Sequence, residues 1–183
     1  MLYVISDPHY DEYQIIDAFY SYDFFMSAEA YMSYTTRRWN DKIKDDDTVI
    51  IVGDAGDPTR YKQLRGHKIL VRGNHDDYEE HKYKCFDKVT DHIYLVESGV
   101  RILFEHIRGS TDKPADIIIC GHSHNVECYR YHEPDKTIIY AITNLLGYEP
   151  RTLSELFDSE YHNWPYELFR IRELVSTGGD YAN

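Results

Sequence analysis

Short apolar runs recur along the chain, each stopped by glycine, aspartate or proline. Leu2-Tyr3-Val4-Ile5 breaks at Ser6-Asp7-Pro8, and Thr48-Val49-Ile50-Ile51-Val52 ends in Gly53-Asp54-Ala55-Gly56-Asp57-Pro58. His67 to Val71 leads into Gly73-Asn74-His75-Asp76, and Ile117-Ile118-Ile119-Cys120 into Gly121-His122-Ser123-His124. Apolar runs this short, bounded by turn residues, predict buried strands. Ile93-Tyr94-Leu95-Val96 and Val100-Arg101-Ile102-Leu103-Phe104 flank Glu97-Ser98-Gly99, which predicts a hairpin. Val126 to Tyr131 and Thr137 to Ile142 predict another around Glu133-Pro134-Asp135.

A different period runs through residues 12 to 43. Ile15, Ile16, Phe19 and Tyr20 follow helical spacing, then Ala28, Tyr31 and Met32, then Trp39 and Ile43. This predicts helix in two pieces, with Ser27 as a cap for the second. A short helix from Pro58 to Leu64 would join the Val52 run to the His67 run as a βαβ unit with parallel strands. Thr152 to Phe157 reads as a short capped helix and Tyr166 to Ile171 as a last strand. Residues 77 to 92 are polar and follow no clear period. The expectation is one α/β domain over residues 1–175, followed by a Gly-rich polar tail, 176–183, that frays. No internal repeat or domain linker interrupts it.

Composition narrows the classes. A chain of 183 residues, 42% of them hydrophobic, suits one ordinary domain. A net charge of -12 repels polyanions, so duplex nucleic acid is disfavoured as a partner. A small phosphate ester at a metal site stays compatible, because the ion's charge dominates locally. Cys85, Cys120 and Cys128 are odd in number and form no C-x-x-C pair, which suits a reducing compartment. Met1 leads straight into the first apolar run, with no signal-peptide pattern, and no run approaches membrane-span length. A cytoplasmic protein with no membrane partner is therefore expected. The 18 tyrosines read as packing residues rather than a base-stacking platform, and leave a homo-oligomer open.

The chemistry-bearing residues cluster where the predicted strands end, the edge at which open α/β folds hold their ligands. Asp7 and His9 follow the first run and Asp54 the second; Asn74, His75 and Asp76 follow the third. His106 follows the second strand of the first hairpin, and His122 and His124 follow the Ile117 run. Each motif alone has a plainer reading: Asp7 as a helix cap, Gly53-Asp54 as an ordinary turn, His106 as a structural histidine. His122 and His124, at i and i+2 after a glycine, are harder to explain that way, since a loop can aim both at one ion. Five of the ten histidines fall at these sites. A mixed oxygen and nitrogen set without thiolate favours Mn, Fe, Zn, Ni or Co over a calcium cage. So many ligand-type residues exceed one ion's needs, and two divalent ions sharing a bridging carboxylate fit better.

The order Asp-x-His, Gly-Asp, Gly-Asn-His-Asp, lone His, Gly-His-x-His resembles the calcineurin-like metallophosphoesterase superfamily, over residues 7 to 124. Trp39-Asn40, Asp47-Thr48-Val49 and Tyr148-Glu149-Pro150-Arg151-Thr152-Leu153 further resemble its short single-domain bacterial and phage-encoded members. The resemblance implies an αββα sandwich: two mixed β-sheets packed face to face, flanked by helices. It implies that Asp7, His9 and His124 hold one metal, that Asn74, His106 and His122 hold the other, and that Asp54 bridges them. Mn would be the foremost metal. A hydroxide between the ions would attack phosphorus in line, with His75 stabilising charge or protonating the leaving oxygen and Asp76 orienting His75. The implied substrate is a small nucleotide-like phosphodiester or phosphomonoester, the diester preferred. Two places differ from the family pattern. Ile107-Arg108-Gly109 follows His106 where many relatives have a small residue or proline, and the Gly-Asp motif lacks the Asp-Arg-Gly ending of the protein Ser/Thr phosphatases. Arg108, with Arg60 and Lys113, is a candidate phosphate contact, against the reading of a solvated surface cation. Two other functional classes compete: a non-catalytic docking module on the same fold, and a single-strand nuclease working with a basic partner.

Overall fold

The apolar runs become strands, and the strands sort into two sheets. The structure, a computed structural model, describes residues 1–16, 18, 25, 27–77, 79–126 and 130–157. Its elements in order are β1 (Leu2–Ile5), α1 (Tyr13–Ile16), α2 (Ala28–Lys42), β2 (Thr48–Val52), β3 (His67–Val71), β4 (Lys88–Thr90), β5 (Ile93–Glu97), β6 (Val100–Phe104), β7 (Ile117–Cys120), β8 (Arg130–His132), β9 (Thr137–Tyr140), β10 (Arg151–Thr152) and α3 (Leu153–Phe157). One five-stranded sheet runs β10-β1-β2-β3-β4 and the other β5-β6-β7-β9-β8. Both are mixed. β1 to β4 are parallel and β10 is antiparallel to β1. β6, β7 and β9 are parallel, with antiparallel β5 and β8 at the edges. The expected sandwich of two mixed sheets flanked by helices is the observed fold.

Register decides where the strand ends fall. Ile5 lies opposite Ile51, Ile51 opposite Leu70, and Leu70 opposite Val89. The loops after β1, β2 and β3 therefore leave at one level. In the second sheet Phe104 lies opposite Ile119, and Ile119 opposite Ile139. These residues join the main core, while Leu103, Ile118 and Ile138, one position earlier on each strand, form a small cluster on the other face. That split is the period-two alternation of a strand. Ser6 then stitches the two sheets at their carboxyl ends. Its N–H donates to the Ala141 carbonyl at 2.6 Å, and its own carbonyl accepts from the Thr143 N–H at 2.9 Å.

The second helix packs as its spacing predicts. Ala28, Tyr31, Met32, Trp39 and Ile43 are all buried, and Ser27 Oγ accepts from the Ala30 N–H at 3.2 Å. The Ser98-Gly99 hairpin turn has φ of 51° and 83°, the left-handed pair that a two-residue type I′ turn needs.

Several elements differ from expectation. The Pro58 helix is a 3₁₀ helix, Pro58–Gln63, begun by Asp57 Oδ1 accepting from the Thr59 N–H at 2.8 Å. A connection this short favours the tighter i→i+3 turn. The polar stretch 77 to 92 contains β4 and a 3₁₀ turn, Glu80–Tyr83. The last helix begins at Leu153, because Thr152 is its cap. Thr152 Oγ1 accepts from the Glu155 N–H at 3.1 Å and Glu155 Oε2 accepts from the Thr152 N–H at 2.7 Å, a capping box. Of the second hairpin's first strand, Arg130–His132 is strand among the described residues and Val126 is not, while its second ends at Tyr140, with Ile142 in an isolated bridge to Ser6. Phe19, Tyr20, Cys128, the strand expected at Tyr166 to Ile171 and the expected tail lie outside the described residues. Among the described residues no helix is long and apolar enough to cross a membrane.

Candidate functional site

Aligned strand ends bring the motif residues to one edge, and glycines let them approach. A Cβ on Gly53 would lie 2.2 Å from His106 Nδ1; one on Gly73 would lie 2.1 Å from Asp54 Oδ1. One on Gly121 would lie 2.1 Å from Asp7 Oδ2 and 1.9 Å from Ser6 Oγ. Each motif glycine is thus the floor under a side chain delivered by a different strand. Asp7, His9, Asp54 and His122 all have positive φ, between 46° and 67°. Non-glycine residues held there store strain, which collects at functional sites.

Two donor groups result. Asp7, His9 and His124 offer ligand atoms within 4.8 Å of one another, and so do Asp54, His106 and His122. In the first group His9 Nε2 is 3.3 Å from His124 Nε2, and His124 Nε2 is 3.4 Å from Asp7 Oδ1. In the second, His106 Nε2 is 3.2 Å from Asp54 Oδ2 and 3.0 Å from Asn74 Oδ1. The His122 ring stands beside the His106 ring, centroids 5.4 Å apart. Asp54 Oδ2 also lies 3.7 Å from His9 Nε2, so one carboxylate oxygen faces both groups.

The supports of this site are as specific as the donors. His106 Nδ1 lies 2.9 Å from the Val52 carbonyl, which takes its N–H and turns Nε2 toward Asp54. Glu12 Oε2 holds His9 Nδ1, which turns Nε2 toward His124 and Asp54. The His122 backbone N–H donates to both oxygens of Asp7, at 3.1 and 3.2 Å. Burial pushes the Asp7 carboxyl up to about 6 despite the neighbouring His106 charge. Burial works against the charged forms of His106 and Asp54 too, but their mutual hydrogen bond outweighs it, raising His106 to about 9 and lowering Asp54 to about 2. Burial and the nearby His9 bring His124 down to about 4.

His75 sits at the rim, its side chain 39% exposed and its ring 5.3 Å from that of His9. Its backbone N–H donates to Asp54 Oδ1 at 2.9 Å.

One expectation needs correction. Asp76 does not orient His75. Its carboxylate is buried and accepts from the N–H groups of Gly73 (2.8 Å), Asp54 (2.9 Å) and Ala55 (3.0 Å), tying the β2 and β3 loops together. The three candidate cations each have a partner elsewhere. Arg108 bonds Glu133, Arg60 forks onto Asp11 at 2.5 and 2.7 Å, and Lys113 lies over the Tyr94 ring. Sequence reasoning also missed Glu12. The His9-x-x-Glu12 spacing at a helix start was its only trace.

Residues 1–141 match the calcineurin-like phosphoesterase superfamily domain. The chain belongs to this superfamily. Membership supports a metal-binding phosphoesterase, a hydrolase. An uncharacterized protein of Methanocaldococcus jannaschii, MJ1445, is 26% identical over 164 residues, 83% of this chain and 86% of its own. Protein AQ665 of Aquifex aeolicus, of unknown function, superposes with a TM-score of 0.67 at 23% identity, over 85% of this chain and 97% of that one. A novel archaeal phosphodiesterase superposes at 0.51 with 19% identity, over 79% and 84%. These two likenesses speak for the fold.

The donor sets suit a divalent metal ion. Ligands about 2.0–2.2 Å from an ion stand roughly 3–3.5 Å apart around it, close to the donor separations of 3.0 to 3.4 Å within the groups. Nitrogen and carboxylate donors without sulfur fit a borderline divalent ion.

Proposed function

We propose that the protein is a two-metal phosphoesterase that hydrolyses a small, nucleotide-like phosphate ester, a diester in preference to a monoester. The observation that carries this is the pair of donor groups sharing Asp54, whose Oδ2 faces His9 on one side and His106 on the other. Asp7, His9 and His124 would hold one divalent ion. Asn74, His106 and His122 would hold the second, with Asp54 between them and Mn²⁺ the foremost metal, ahead of Fe, Zn, Ni or Co. Bound there, the ions supply Lewis-acid polarisation of a phosphoryl oxygen and a water acidic enough to attack near neutral pH.

The chain's own residues do the rest. The Val52 carbonyl and Glu12 hold His106 and His9 in the tautomers that present Nε2. Asp76 fixes the backbone on which Asp54 and His75 are mounted. His75, reaching the solvent-facing rim, donates a proton to the leaving oxygen or steadies the charge building on phosphate. A complete donor set favours this over a docking module. The acidic chain, with no cation gathered at the site among the three considered, favours a small substrate in the cytoplasm over a nucleic-acid strand.

The test is hydrolysis of bis-p-nitrophenyl phosphate beside p-nitrophenyl phosphate by chelator-stripped protein refilled with Mn²⁺. Turnover should return with metal, favour the diester, and fall about 10²–10⁴-fold in His75→Ala. Wild-type rates in His75→Ala with metal bound would refute the assigned role.

A further inference from the structure

Glu12 stands in a third group, with His9 and His75, whose ligand-type atoms lie within 4.8 Å of one another. Its two oxygens face different rings. Oε2 pairs with His9 Nδ1, and Oε1 lies 3.7 Å from His75 Nδ1. Asp76, next to His75 in sequence, is committed elsewhere, to three backbone N–H groups.

The loop that delivers Glu12 is pinned. Tyr10 bridges to Gly56, where any Cβ would come within 2.2 Å of the Tyr10 backbone. Arg60 forks onto Asp11 at 2.5 and 2.7 Å, and the Glu12 N–H donates to the His9 carbonyl at 3.0 Å. Asp7, His9 and Asp11 all hold positive φ, so the chain accepts strain three times to bring Glu12 over His9.

We infer that Glu12 is a positioning residue shared by the metal site and the proton donor: one oxygen fixes His9, and the other sets the ring of His75. This rests on the proposed hydrolase reading for its chemistry. The attacking water gives up a proton to solvent as its oxygen bonds to phosphorus and the bond to the leaving oxygen breaks. The leaving oxygen keeps the electron pair and takes the Nε2 proton of a His75 ring protonated on both nitrogens, which leaves the neutral Nδ1–H form directed at Glu12. A gap of 3.7 Å is longer than a hydrogen bond, and such catalytic contacts tighten once substrate is bound.

The experiment compares Glu12→Ala, Glu12→Gln, His75→Ala and the Glu12→Ala/His75→Ala double variant, all loaded with Mn²⁺. Each is assayed on aryl phosphodiesters with p-nitrophenol or phenol as leaving group. Glu12→Ala is expected to bind Mn²⁺ about 10–100-fold more weakly and, once saturated with Mn²⁺, to keep its KM while kcat falls about 10–100-fold on the phenyl ester and less on the p-nitrophenyl ester. Glu12→Gln should recover part of the loss, and the double variant should be no slower than His75→Ala. Equal losses on both esters, losses that multiply in the double variant at saturating Mn²⁺, or a native Mn²⁺ affinity in Glu12→Ala would each overturn the shared role. The ¹⁵N spectrum of the His75 ring in Zn²⁺-loaded protein needs no turnover. Recorded on the neutral ring, the state left after proton transfer, it should show the Nδ1–H form in the native chain and a shift toward Nε2–H in Glu12→Ala, and an unchanged His75 signal overturns the inference. An inactive native protein with a Glu12-dependent His75 signal would refute the hydrolase reading while supporting the contact.

Discussion

Gly73→Ala isolates the geometry of the shared carboxylate. Gly73 does not occupy the left-handed region, so alanine there meets no backbone penalty. At a site with room such a change stabilises by about 0.4–1 kcal/mol. Here the new methyl would lie 2.1 Å from Asp54 Oδ1 and 2.5 Å from the Asp54 backbone nitrogen. Restoring the 3.4 Å of ordinary contact requires a displacement of about 1.3 Å. The side chain cannot absorb this alone, because the backbone is struck too. Overpacking of this kind costs about 1–3 kcal/mol, which for a domain of this size lowers Tm by roughly 2–12 °C. Asp54 Oδ2 must also leave its place 3.2 Å from His106 Nε2. A misplacement of about 1 Å near reacting atoms costs on the order of 10²-fold in rate. Thermal melts, metal analysis and diester hydrolysis on the Mn²⁺-loaded variant check each part. A variant with native Tm, full metal and native kcat would show that Asp54 is not held against Gly73, and would undo the argument for the motif glycines.

Other predictions follow from particular contacts. Asp76→Ala strands the N–H groups of Gly73, Asp54 and Ala55; at about 1–3 kcal/mol for each unpaired buried group, Tm should fall more than in His75→Ala, whose ring is at the rim. His106, raised to about 9, holds a proton at pH 7 that an incoming ion must displace. Metal affinity should therefore climb with pH, by up to about tenfold per unit from this group, and level off above pH 9; calorimetry at pH 7 in buffers of different ionisation enthalpy should register the released proton. Ser98→Asn, at φ 51° in the β5–β6 turn, should raise stability by a few tenths of a kcal/mol and leave hydrolysis unchanged.

How far the chain could be read without its structure depended on where the information lies. Strands such as β2 and β7 were legible because nearly every residue in them is buried, so sequence and burial coincide. β4 and β10 were not: Lys88–Thr90 and Arg151–Thr152 are short and partly polar, and pair only because a neighbour offers an edge. The strand-end motifs placed the donors in one region, since spacing after a glycine is a local property. Side-chain direction is not local. Asp76 follows His75 in sequence yet turns to three amides, while Glu12, from another loop, reaches the ring. Arg60, Arg108 and Lys113 were unreadable for the same reason: Asp11, Glu133 and Tyr94 engage them from other segments.

The central claim, that two ions act together across Asp54, is tested most directly by titrating stripped protein with Mn²⁺ while following diester hydrolysis and bound metal in the same samples. The account predicts two ions per chain and turnover that rises steeply only as the second site fills, with Asp54→Asn binding more weakly and staying slow at saturation. Full turnover at one equivalent, unchanged by further metal and by Asp54→Asn, would contradict it.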